Sequence, residues 1–224
     1  MHRIVLTLSL FCVSFSASAA TISVSGTSVV TGGLLAVWVH TYSGGAPGLQ
    51  IEQISINLGG SGLIFDTVNG GPGALLGQGI GTVAGGALTG FAGASPSNAA
   101  LDGQTLATLA FTNFGAGEAY SHTGDVDQTA SCAGLGAIAT GICITANATN
   151  TGAELAGIQL LVTLGGPGYA TTTLPAVFTA NGLLGALVAQ ANWSGEVTVT
   201  PEPSTWFAGL CGLAAVALRR GRAR

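Results

Sequence analysis

Four side chains able to bind a metal or move a proton fall within ten residues: Glu118, His122, Asp125 and Asp127. Asp-x-Asp spacing offers carboxylate oxygens to a hard cation, which makes Asp125 and Asp127 the calcium candidates of the chain. An EF-hand loop would continue with a third oxygen ligand and then glycine, and Thr129 and Ala130 stand there instead. A solvated acidic loop is therefore the competing reading, and no cofactor other than such a calcium ion is expected.

A second group of candidates is aromatic. In Leu34 to Tyr42, residues Ala36, Trp38, His40 and Tyr42 point one way in an extended strand while Leu35, Val37 and Val39 point the other. An aromatic strip on a sheet can stack on sugar rings, so Trp38 and Tyr42, with Trp193 further along, are the candidate contacts for a polysaccharide. The same residues, flanked by aliphatics, also suit the core of a sandwich.

Catalysis has little to draw on. Lysine is absent, and arginine occurs only at position 3 and in the last six residues, so the body has no amine for a Schiff base and no guanidinium clamp. No G-x-S-x-G elbow surrounds any serine. A carboxylate pair for glycoside hydrolysis would meet only in the fold, which leaves a polysaccharide hydrolase as one alternative. The expectation is that the chain is not an enzyme.

The elements that must position these residues are strands. All but Glu202 of the nine acidic residues lie between residues 21 and 200, against no fixed cation, and such a surface repels phosphate backbones, so nucleic acid is excluded as a partner. Glycine reaches 37 of 224 residues, yet apolar content is too high for disorder. Period-two alternation marks Ile54 to Leu58, Ile158 to Leu164 and Glu196 to Thr200. Further strands are predicted over Thr21 to Ser25, Leu34 to Tyr42, Leu63 to Thr67, Thr105 to Thr112, Leu174 to Thr179 and Leu184 to Gln190. Turn-prone runs such as Asn69-Gly70-Gly71-Pro72 and Gly165-Gly166-Pro167-Gly168 separate them. Gly73 to Ala100 fits neither period and reads as a long loop or weak strands. The expected fold is all-β, a single β-sandwich of jelly-roll or immunoglobulin-like type over residues 21–200.

The two ends are addresses. Residues 1–20 follow a secretory pattern: His2 and Arg3, an apolar run from Ile4 to Phe15, then the small residues Ser16 to Ala20. The Sec translocon and signal peptidase are the partners this implies. Residues 201–224 open with Pro201-Glu202-Pro203, continue with apolar residues 206–218 and close with Arg219, Arg220, Arg222 and Arg224. As a helix, residues 206–218 reach about 20 Å, short of the roughly 30 Å hydrocarbon core, so insertion into the inner membrane would be transient. The arginines would hold the C-terminus in the cytoplasm and place the body across the membrane.

This tail resembles the PEP-CTERM sorting signal of Gram-negative bacteria. The resemblance implies cleavage near the motif by an exosortase, then release to the cell surface or to an extracellular matrix of exopolysaccharide or biofilm. Parts of the body are similar to the cohesin-type sandwich, a nine-stranded jelly-roll module of adhesion and scaffolding. The matching pieces are Ile22 to Gly33 ahead of the Leu34 to Tyr42 strand, an Ile51 to Phe65 hairpin, and Leu106 to Phe111. The function expected is a secreted structural or adhesive envelope protein, with a carbohydrate- or protein-binding cohesin-like module as the alternative. Cys132 and Cys143, eleven residues apart in an exported domain, are expected to form a disulfide.

Overall fold

Along Thr21–Thr31 every second side chain from Val24 to Val30 turns inward, and in the computed structural model this segment is the first strand, β1. The structure describes residues 19–32, 36–68, 77–128 and 152–200, and Thr21–Val199 forms one compact unit. The expected signal segment, the Cys132–Cys143 bridge and the sorting segment with Pro201, Glu202, Pro203 and its arginines lie outside the described residues, save Ala19 and Ala20.

The strands that follow are β2 (Val37–Gly44), β3 (Gln50–Asn57), β4 (Leu63–Phe65), β5 (Gly81–Ala84), β6 (Phe91–Ser95), β7 (Leu106–Gly115), β8 (Ala119–Thr123) and β9 (Val126–Gln128). The last four are β10 (Gln159–Gly165), β11 (Thr172–Val177), β12 (Thr179–Ala180) and β13 (Val188–Thr198). Two single-turn helices, α1 (Gly86–Thr89) and α2 (Asn98–Leu101), flank β6. The class is all-β, and among the described residues every strand pair is antiparallel.

One sheet runs β12-β13-β1-β2-β8-β5, a second runs β11-β10-β3-β7-β6, and β4 and β9 form a two-stranded sheet among the described residues. The inward faces of both large sheets supply one core, with Val24, Val30, Trp38, Tyr42, Tyr120 and Trp193 from the first and Ile51, Ile54, Ile56, Leu109, Phe111 and Leu160 from the second. Full burial of each aliphatic or aromatic side chain contributes about 1.5–3 kcal/mol. With so few charges, that burial is the main source of stability.

Strict alternation fails where the backbone bulges. Ile51 and Ile54 both turn inward although three residues apart, and the pairing of β3 with β10 shifts register there, with Gln53 opposite Thr163 but Ile51 opposite Leu164. An extra residue at a bulge reverses the parity of the strand and keeps both isoleucines in the core.

Two expectations change. Ile51 to Phe65 is not a hairpin: β3 pairs with β7 and β10, whereas β4 pairs with β9. Leu184 to Gln190 and Glu196 to Thr200 are not separate strands, because β13 runs unbroken from Val188 to Thr198 against β1. Of the two readings of Gly73 to Ala100, its described part follows weak strands: β5 and β6 are edge strands separated by α1. Among the described residues no helix is long and apolar enough to cross a membrane.

Candidate metal centre and a buried histidine pair

The acidic run divides by strand. Glu118 precedes β8 and its carboxylate accepts the Gly115 amide at 2.8 Å, closing the β7–β8 turn. His122, on the inward face of β8, turns into the core. Asp125 and Asp127 lie at the entry to β9 and within it, and the β4–β9 ladder, with Ile64 opposite Asp127, brings Asp66 alongside them.

Asp66, Asp125 and Asp127 are 0%, 1% and 4% exposed, and each offers an oxygen such that the three atoms lie within 4.8 Å of one another. Three backbone segments close around them. The Asp66 amide donates to the Asp125 carbonyl at 3.0 Å, the Gln78 amide to the Asp66 carbonyl at 3.0 Å, and the Asp125 amide to the Gln78 carbonyl at 2.9 Å. The side chains are less well provided for. Asp125 Oδ1 accepts the Val126 amide at 3.0 Å, but Asp125 Oδ2 and both oxygens of Asp66 are buried without a donor, as is Gln78 Oε1.

Burial pushes the Asp66 carboxyl up to about 7, with the carboxyls of Asp127 and Asp102 adding to the shift. Burial likewise pushes Asp125 up to about 8, with Asp127 and Asp66 adding and the Val126 and Ala36 amides opposing. Asp102 is itself provided for, since its Oδ1 accepts the amides of Thr67 at 2.9 Å and Val68 at 3.1 Å. Oxygen-only donors of this kind suit a hard cation such as Ca2+. The geometry is a meeting of strand segments, unlike the single loop of an EF-hand.

His122 belongs to a second cluster. Ser28 and His40 are cross-strand partners on β1 and β2, and β2 pairs with β8. Ser28 Oγ lies 2.8 Å from His40 Nδ1, His40 Nε2 lies 3.1 Å from His122 Nε2, and His122 Nδ1 lies 2.6 Å from the Thr123 carbonyl oxygen. A carbonyl only accepts, so His122 carries its proton on Nδ1 and accepts at Nε2. His40 must then donate from Nε2 and accept the Ser28 hydroxyl at Nδ1. Both rings are neutral in that chain. Burial holds His122 down at about 4 against the opposing Thr123 carbonyl, and burial with the adjacent His122 holds His40 well below its usual value.

The three aromatics read as candidate sugar contacts are core residues. Trp38, Tyr42 and Trp193 are 0%, 1% and 3% exposed, and none presents a ring face to solvent. Trp38 donates from Nε1 to the Gly124 carbonyl at 2.8 Å, meets Phe178 edge-on at 5.6 Å and stacks on His122 at 6.1 Å. Trp38 and Tyr42 lie on the inner face of β2, because the half-buried Val37 and Val39 occupy the other.

Sequence reasoning missed Asp66 and the His40–His122 contact. Asp66 stands alone in its stretch of chain, and the only available signal was its position directly after the apolar Leu63-Ile64-Phe65. Compared with known protein families, curated proteins and solved structures, the chain has no significant match.

Proposed function

We propose that this chain is an exported, exosortase-sorted component of the cell envelope or extracellular matrix, structural or adhesive in role and associated with exopolysaccharide or biofilm. The observation that carries the reading is the order of Pro201-Glu202-Pro203, apolar residues 206–218 and the arginines at 219, 220, 222 and 224. Arginine resists transfer across a bilayer, so a short apolar span closed by such a cluster is a hold that can be cut on the far side.

The folded unit is suited to losing both ends. β1 and β13 pair Thr21 with Thr198, so the chain enters and leaves the sheet at one edge of the same ladder. Removing residues 1–20 and 201–224 breaks no rung between them. The absence of lysine and arginine from the body also leaves trypsin-like proteases no site, an asset outside the cell.

Within the all-β class, the finer fold we infer is a jelly-roll sandwich of the cohesin-like kind. Its support is the path of the chain, which changes sheet between β2 and β3, β5 and β6, β7 and β8, and β11 and β12 instead of running as a meander. A carbohydrate-binding module is the weaker alternative, because Trp38, Tyr42 and Trp193 lie in the core.

The test is the mass of the exported product of the full-length chain in a host that carries an exosortase and in the same host without it. We expect loss of the segment after the Pro-Glu-Pro motif only where the enzyme is present, with the product recovered in the matrix fraction. Retention of residues 201–224 in the exosortase-bearing host overturns the reading.

A further inference from the structure

Residues 21–200 contain no lysine or arginine, so no side-chain cation of the body can balance the carboxylates of Asp66, Asp125 and Asp127. Such a cluster on a surface would need nothing, since water and salt screen it. Here all three residues are buried, and Asp66 faces other carboxyl groups with both oxygens lacking a donor. Oxygens of neighbouring carboxyl groups attract only when a proton or a cation lies between them.

The two occupants make different demands. A proton on Asp66 gives one O–H donor and satisfies one neighbouring oxygen. The other oxygen of Asp66 would still be without a donor. A cation that takes six to eight oxygens can draw on all three side chains at once. Ca2+ binds oxygens at roughly 2.4 Å, so ligands on opposite sides of it are about 4.8 Å apart, whereas Mg2+ needs about 4.1 Å and near-ideal octahedral geometry. The three aspartate oxygens lie within 4.8 Å of one another, close enough for one ion to touch all three as they stand. Gln78 Oε1 is a further buried acceptor without a donor, on the segment whose backbone bonds to both Asp66 and Asp125.

We propose that Asp66, Asp125 and Asp127 form a calcium-binding site that ties the end of β4, the segment at Gln78 and the entry to β9 into one unit. The site is independent of export and of the sorting tail, so it stands or falls separately from the proposed function. Its backbone frame also fixes its size. A Cβ built on Gly77 would lie 2.5 Å from Asp66 Oδ1 and 2.8 Å from the Val68 backbone, so glycine at 77 keeps the carboxylate in place.

The test uses the full-length chain freed of metal with a chelator, titrated with CaCl2 by calorimetry and followed by thermal melting, with MgCl2 and ionic-strength-matched NaCl as separate arms. We expect saturable calcium binding and a rise in Tm of about 5–10 °C at 100 times the Kd. MgCl2 should act more weakly, and NaCl should not reproduce the rise.

Asp66→Asn and Asp127→Asn should each weaken calcium at least tenfold. In chelator, Asp66→Asn should melt at or above the wild-type temperature, because it relieves repulsion between buried carboxylates, so the order of the two proteins reverses when calcium is added. A merely structural aspartate would give no such reversal. Absence of saturable binding to the wild type, equal responses to CaCl2 and MgCl2 or NaCl, or wild-type affinity in both variants overturns the proposal. The wild-type titration decides the matter even where a variant fails to fold.

Discussion

His40 and His122 meet inside the sandwich with their Nε2 atoms 3.1 Å apart and their rings nearly parallel at a centroid distance of 5.3 Å. The chain from the Ser28 hydroxyl to the Thr123 carbonyl uses each ring nitrogen once, and a proton added at His40 Nδ1 would turn the Ser28 hydroxyl from donor to acceptor. The ring of Tyr120 packs on His122 at 5.6 Å, and burial raises its hydroxyl above its usual value, so this neighbour supplies no negative charge to offset one on the pair.

Acid should therefore weaken the protein through this pair. Both histidines titrate lower in the folded chain than their reference value of 6.5, so the unfolded chain takes up protons first as pH falls. Their contribution is present above pH 6.5 and is lost as pH falls toward about 4, the value for His122. We expect the urea-unfolding free energy of the wild type, relative to a His40→Asn, His122→Asn double variant, to be largest at pH 7 and to shrink steadily toward pH 4. The carboxylates are common to both proteins and cancel. A difference that is constant over this range contradicts the assignment of both rings as neutral.

Trp38 separates a core role from a ligand role. Its indole is fully buried, donates to Gly124 and packs on Phe178 and His122. Trp38→Ala should cost about 3–5 kcal/mol, since it removes a large buried ring and leaves the Gly124 carbonyl without its donor. Trp38→Phe should retain part of the packing and cost about half as much. Denaturant unfolding checks both, and an exposed ligand-contact residue would show changes within about 0.5 kcal/mol.

Thiol chemistry tests the remaining cross-link expectation. Cys132 and Cys143 would close a short loop, which stabilises by roughly 2–3 kcal/mol in the chain-entropy account. On protein exported to an oxidising compartment, we expect neither cysteine to react with an alkylating reagent until a reductant is added. Peptide mass analysis reads this directly, and labelling of both residues without reductant contradicts the bridge.

Alternation made β2, β10 and the second half of β3 visible in the chain, because one side of each carries aliphatic or aromatic groups at every second position. It also assigned Trp38, His40 and Tyr42 to a common face, but not the side on which the core lies. That depends on the second sheet, whose residues are distant in sequence. β8 was hidden because its inward positions are Tyr120 and His122, and a buried histidine paired with another histidine reads as a polar residue on a solvent face. β13 was read as two pieces because Asn192, Ser194 and Gly195 interrupt its apolar pattern, although the ladder to β1 continues through them. The calcium candidates Asp125 and Asp127 were legible from their spacing. Asp66 was not, because only the pairing of β4 with β9 brings it to them.

Gly26 supplies the last test, and it concerns how two rings share one position. In β1 it stands opposite Tyr42 on one neighbouring strand and Trp193 on the other, and those rings meet at a centroid distance of 5.7 Å. A Cβ at Gly26 would overlap the Trp193 ring and the Thr41 carbonyl oxygen. Neither has room to move, since Thr41 is held in the β1–β2 ladder and Trp193 is buried. Glycine here is required by space, and its backbone needs no left-handed conformation. Gly26→Ala should therefore destabilise by about 2–3 kcal/mol through overpacking, with Trp193 fluorescence altered in the folded state. Replacing Trp193 by the smaller leucine in the same chain should recover part of that loss, so that the two changes are non-additive by at least about 0.5 kcal/mol. Strict additivity would mean that the strand tolerates the methyl group elsewhere and that Gly26 does not set the approach of Tyr42 and Trp193.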